Sequence, residues 1–184
     1  MRSLLLLAVL PLAAAAQPFE TLEVTAAGLL TATTGDFDEL WEPGPGVVLR
    51  GATPFYRGHV FLGATGARHT AQDEALPDYW ALHAFGGWAY AFRLPGGVEA
   101  AAGLHAGLYN WKFDSDQELS AQWEAELATG LDLWASAPVG RGWRLGGGLQ
   151  TARIYTRERL DLRFVHVGIG RRFAVPPWLR AVLR

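Results

Sequence analysis

The chain contains no cysteine. That excludes a disulfide framework, a thiolate metal site, a cysteine nucleophile and a lipidated N-terminal cysteine. Charge is also scarce: a net of −2 over 184 residues offers no basic face, and no nucleic-acid partner is expected. Past residue 16 the only serines are Ser115, Ser120 and Ser136, and none stands two residues from a histidine. A hydroxyl nucleophile needs a base beside it, so the sequence assigns no catalytic set. Nor does any stretch beyond residue 16 reach about 18 consecutive apolar residues, the length of a membrane helix.

What is present is apolar. Half of the residues are hydrophobic, tryptophan stands well above its usual share, and glycine is abundant. The length suits one domain. Residues 1–16 read as a secretory signal peptide: Met1-Arg2 is the positive start, residues 4–12 the short apolar core, and Ala14-Ala15-Ala16 the cleavage site before Gln17. The expected divisions are 1–16 signal peptide, 17–174 barrel and 175–184 C-terminal tail.

The stretch "YWALHAFGGWAYAF" (79–92) resolves with period 2. Trp80, Leu82, Ala84, Gly86, Trp88, Tyr90 and Phe92 share one greasy face. Tyr79, Ala81, His83, Phe85, Gly87, Ala89 and Ala91 share the other, which holds the only ionisable group. A Gly86-Gly87 pair weakens a helix and would ease a bend of a sheet. The same alternation recurs along the chain and predicts strands at 19–33, 46–56, 58–70, 79–93, 97–112, 120–136, 142–156 and 161–174. These exceed the usual five or six residues of soluble strands, and about 10 residues tilted near 45° span a bilayer.

Eight is the even number of a transmembrane barrel, and the connections alternate in kind. Tight Pro/Gly turns near residues 53–58, 93–97 and 137–142 separate longer or more acidic segments, "TGDFDELWEPGPG", "AQDEALPD", "FDSDQEL" and "TRERLD". With both termini in the periplasm, the longer segments face outward. Rings then fall at two interfaces: Trp88, Tyr90, Phe92, Trp143 and Phe173 near the periplasmic one, Trp80 and Trp123 near the outer one. The competing arrangement is a secreted soluble barrel of lipocalin type, which would put the large apolar face inside.

The signal peptide, the eight-strand pattern and the segment "RFVHVGIGRRF" resemble the small outer-membrane barrels of Gram-negative bacteria, the class containing the OmpA barrel domain, OmpX, OmpW and PagP. The segment is similar to the terminal-strand signal of that class, with a glycine followed by an aromatic end at Phe173. It departs in continuing through "AVPPWLRAVLR". The resemblance implies an all-β, eight-stranded, antiparallel up-and-down transmembrane β-barrel in the outer membrane, after cleavage near Ala16-Gln17. It also implies contact with outer-membrane lipids and lipopolysaccharide, and with the barrel assembly machinery during insertion. No cofactor is expected.

Eight strands enclose an interior just wide enough for side chains. The alternation sends Glu23, Arg50, Arg68, Glu99, Glu124, Glu126, Asp132, Arg144 and Arg172 inward, with His83, His105 and His166. Buried charges must pair, and Arg172 on the last strand is placed to meet Glu23 on the first. Pairing about the turn at Pro95 sets His83 opposite roughly residue 107, making His105 a diagonal neighbour. Two histidines need further ligands to hold a metal; Glu124 or Glu126 is the available donor. In the tail, Trp178, Leu179, Val182 and Leu183 fall on one stripe of a short helix, with Arg180 and Arg184 opposite. That stripe suits a membrane or periplasmic protein partner. The expected role is structural or interaction-based, as an accessory subunit of a larger outer-membrane assembly. The alternatives are a lipid-modifying enzyme, of lipid A deacylase or acyltransferase type, and a narrow pore.

Overall fold

The computed structural model of the chain describes residues 19–32, 36–114, 124–156 and 159–178. Eight strands close into one antiparallel up-and-down barrel: β1 Thr21–Thr31, β2 Pro45–Phe55, β3 Gly58–His69, β4 Tyr79–Arg93, β5 Glu99–Phe113, β6 Glu124–Gly140, β7 Trp143–Tyr155 and β8 Arg159–Ala174. Each pairs with its sequence neighbours, and β1 pairs with β8 from Thr21↔Ala174 to Thr31↔Phe164, so no strand edge is left open. Strands of 11 to 17 residues reach or exceed the ~9–11 that cross a bilayer.

The period-2 pattern becomes an inside and an outside. Val24, Leu49, Leu62, Leu82, Leu104, Leu131, Leu149 and Val167, one from each strand, stand exposed on the outer wall. The soluble alternative required the reverse. Trp80 lies at the loop end of β4, and Trp88, Tyr90 and Phe92 run toward its turn end with ring centroids 6.3 and 4.8 Å apart in succession. Trp143 and Phe173 are exposed at the same end. Trp123 lies outside the described residues.

Three short turns mark one end of the barrel, called here the turn end. The first turns through Tyr56, whose φ of 54° puts it in the left-handed region. The second passes through the 3₁₀ turn Pro95–Gly97, with Gly96 and Gly97 at φ 75° and 76°. The third is only Arg141-Gly142, because β6 runs to Gly140 rather than ending near residue 136. Pro138 is tolerated there because the ladder is irregular between Pro138 and Gly140. At the opposite end, the loop end, the segment after β1 is not bare loop: it contains α1 Asp36–Leu40. The helix is tied down by Trp41↔Ala71 bridging and by Gln72 N–H donating to the Leu40 carbonyl at 3.0 Å.

The geometry corrects two sequence expectations and adds a reason for one glycine. Arg68 does not enter the lumen. On β3 the inward series is Phe61, Thr65, Ala67 and His69, so Arg68 points out, 5.7 Å over the Trp80 ring and within 3.2 and 3.4 Å of Asp78 and Asp114. His83 pairs with Tyr109, not with residue 107, because the turn before β5 begins that strand at Glu99. Gly87 serves close approach: a Cβ there would sit 2.1 Å from the Leu104 carbonyl and 2.8 Å from the Phe61 ring.

Candidate functional site

Among the described residues the lumen gathers most of the predicted polar side chains, and it divides into two halves. At the turn end, Arg172 donates to Glu23 through Nε at 3.1 Å and Nη2 at 2.7 Å, and through Nη2 to Glu99 at 3.2 Å. Arg144 donates to Ser136 Oγ at 3.0 Å and to the carbonyls of Ser136 and Gly97 at 2.9 and 3.1 Å, with Glu23 3.8 Å away. His59 Nε2 lies 3.2 Å from Glu99. Two carboxylates thus serve two arginines and an imidazole drawn from β1, β3, β5, β7 and β8. Alternation places these groups inward, and barrel closure brings β8 to β1.

One layer deeper, Arg50 donates to Asp132 at 2.9 Å and lies 4.1 Å over the Phe61 ring. The pair is only partly satisfied: Arg50 Nε is buried with no hydrogen-bond partner among the described residues, and mutual attraction and the ring contact must offset desolvation. His166 stacks on the inward Trp134 at 5.0 Å and 16°. The cavities left here, about 20 and 10 Å³, leave room for at most about one water each.

The loop half is built from rings. His69 stacks on Tyr79 at 4.6 Å, Phe37 meets His69 edge-on at 5.5 Å, and Trp41 meets Tyr79 at 5.4 Å. The Trp41 indole N–H donates to the Pro77 carbonyl at 3.2 Å, which fixes the ring over the barrel mouth. Below them, His83 and His105 are buried with ring centroids 5.4 Å apart and Phe85 beside both. Their four ring nitrogens have no hydrogen-bond partner among the described residues. Glu124 is at the exposed rim, accepting from the Trp111 indole at 3.0 Å, and Glu126 pairs in register with Tyr109. Among the described residues no three histidine, aspartate or glutamate side chains converge to hold a metal.

Of the serines, Ser136 is buried and engaged by Arg144; Ser115 and Ser120 lie outside the described residues. In the tail, the Val175 N–H donates to the Glu20 carbonyl at 2.9 Å, and Trp178 stands 69% exposed. Leu179, Val182 and Leu183 lie outside the described residues. Sequence reasoning missed His59, Trp134, Trp41 and Phe37. The first two share the inward parity of Phe61 and Asp132; the last two lie in a segment without periodicity.

An eight-stranded up-and-down barrel, apolar outside and filled within, is the fold of the small outer-membrane β-barrels. Among solved structures it resembles Neisserial surface protein A, with a TM-score of 0.64 and 14% identity over 85% of this chain and 97% of that one. OprG from Pseudomonas aeruginosa matches with 0.55 and 12% over 85% and 97%, and the attachment invasion locus protein Ail of Yersinia pestis with 0.52 and 17% over 85% and 100%. At these identities the likeness is one of fold. No protein family and no curated protein matches the sequence.

Proposed function

We propose that the chain is an integral outer-membrane barrel with a structural or interaction role, acting as an accessory subunit of a larger assembly. The observation that carries this reading is the pairing of an apolar outer wall on all eight strands with a lumen filled by ion pairs and rings. Apolar surface of that extent needs lipid or a partner to cover it. A filled lumen favours a scaffold over a conduit. In this setting the turn end faces the periplasm and the loop end the exterior.

The contact element is the tail. Val175 anchors it to the start of β1, Pro176 and Pro177 prevent it from continuing the sheet, and Trp178 is presented to its surroundings. Tryptophan is one of the residues enriched among interface hot spots. The test is mild-detergent purification from native membranes of the full chain and of a chain lacking residues 175–184. The expected result is a companion protein retained by the first and lost by the second, with both barrels inserted. A clean monomer from the full chain sinks the subunit role.

A further inference from the structure

Three rings in the lumen stand around one point. His83 and Phe85 share the inward face of β4, and His105 comes from the paired strand β5. Ring centroids are 4.9 Å apart for His83 and Phe85, 5.3 Å for Phe85 and His105, and 5.4 Å for the two imidazoles. The triangle is nearly equilateral, and its sides are tilted contacts at 37°, 51° and 55° rather than stacks. Two of the rings press on bare backbone of the neighbouring strands. A Cβ on Gly63 would lie 2.5 Å from Phe85 Cζ, and one on Gly130 would lie 2.8 Å from His105 Cε1. The wall therefore holds these rings in place.

The polar atoms at this point are unmatched. His83 is 1% exposed and His105 4%, and neither nitrogen of either ring has a hydrogen-bond partner among the described residues. A neutral imidazole has one N–H and one lone pair to satisfy, and burying them unpaired costs stability. Phe85 offers no hydrogen bond, and Asp132, the buried acid of the next layer, is held by Arg50 at 2.9 Å.

We propose that His83, His105 and Phe85 form a site for one soft monovalent metal ion, Cu(I). A metal ~2.0–2.1 Å from an imidazole nitrogen lies about 3 Å from the centre of that ring, and the point equidistant from the three centroids is also about 3 Å from each. One nitrogen of each imidazole ligates the ion, and the Phe85 ring closes the third side through its π-electrons. Two neutral nitrogens and a ring suit an ion of low charge and low coordination number. Zinc takes four ligands, and among the described residues no third histidine or carboxylate joins the pair to neutralise a second charge. Hard cations require oxygen ligands, whereas imidazole suits copper. This inference is independent of the subunit role and gives the filled lumen a ligand of its own.

The probe is Ag(I), which matches Cu(I) in charge and softness and keeps its oxidation state. The full chain is refolded from urea into chloride-free detergent with silver nitrate, excess ion is removed, and bound metal is counted by native mass spectrometry. The parent should retain one ion per barrel. His83→Phe and His105→Phe should each retain none, and Phe85→Leu should bind about tenfold more weakly, the loss expected for one desolvated cation–π contact. His166→Phe, which removes a buried imidazole stacked on Trp134 instead, should bind as the parent does. Heat-modified gel migration confirms that each variant is folded. A second readout needs no variant: in NMR spectra of the parent labelled at histidine nitrogen, Ag(I) should shift two of the five imidazoles. No retained ion, undiminished binding by His83→Phe or His105→Phe, an equal loss in His166→Phe, Zn(II) retained as tightly as Ag(I), or a shift of any other number of imidazoles would each overturn the site.

Discussion

The two halves of the lumen solve the same problem with different chemistry. The turn half neutralises charge with charge: Glu23, Glu99, Arg144 and Arg172 share hydrogen bonds across strands distant in sequence. The loop half uses rings, with His69, Tyr79, Trp41 and Phe37 in mutual contact. Directional pairs fix which strands meet, but each lost partner leaves a buried charge behind. Ring contacts tolerate imperfect geometry and are lost in smaller steps. The half where β1 begins and β8 ends therefore carries registry, and the half beneath the longer connections caps the barrel mouth.

The largest expected effect comes from breaking the charged half. Glu23→Arg sets a third cation against Arg172 and Arg144 and should destabilise the barrel by at least about 3–5 kcal/mol in urea unfolding from vesicles. Adding Arg172→Glu should recover only part of this, because the new acid faces Glu99 and the new base faces Arg144. Complete recovery would show an isolated pair rather than a network. Next, Tyr79→Ala removes the central ring of the loop half; a loss of roughly 3 kcal/mol is expected. Unlike the charge reversal, it should be insensitive to salt.

The middle layer offers a sharper contrast. Asp132→Leu alone should cost about 3–5 kcal/mol by stranding Arg50, whereas Asp132→Leu with Arg50→Met should lie within about 1 kcal/mol of the parent. A double variant as weak as the single would mean that the pair does more than satisfy itself. The smallest effect belongs to Arg68→Gln on the exposed rim, at ~0–1 kcal/mol and diminishing with salt. A loss comparable to that of Asp132→Leu would erase the distinction between lumen and rim.

Alternation made most of this barrel legible. Once one face of residues 79–92 was recognised as lipid-facing, the inward parity of Glu23, Arg50, His83, Glu99, His105, Asp132 and Arg172 followed. The pattern failed where parity was assigned by charge rather than by neighbours: Arg68 was drawn inward although His69 and Ala67 claim that face. Register was harder to read, because the positive-φ Gly96-Gly97 turn sets where β5 begins, and a shift of two residues leaves every face unchanged. The α1 plug was not legible at all. Phe37 and Trp41 take their places from contact with β3 and β4, and no periodicity in a five-residue helix announces them.

The bonds from Arg172 to Glu23 join residues 149 positions apart. Entropy of closure grows with the length of chain enclosed, and contacts between distant segments slow folding. Neither partner can be satisfied by a partly made sheet, because β1 and β8 meet only when every intervening strand is in place. Until then each would be an unpaired charge on an open edge, disfavoured inside a membrane. The seam thus works as a completion signal: a barrel missing any strand keeps two costly charges exposed, and only the finished circle removes them both.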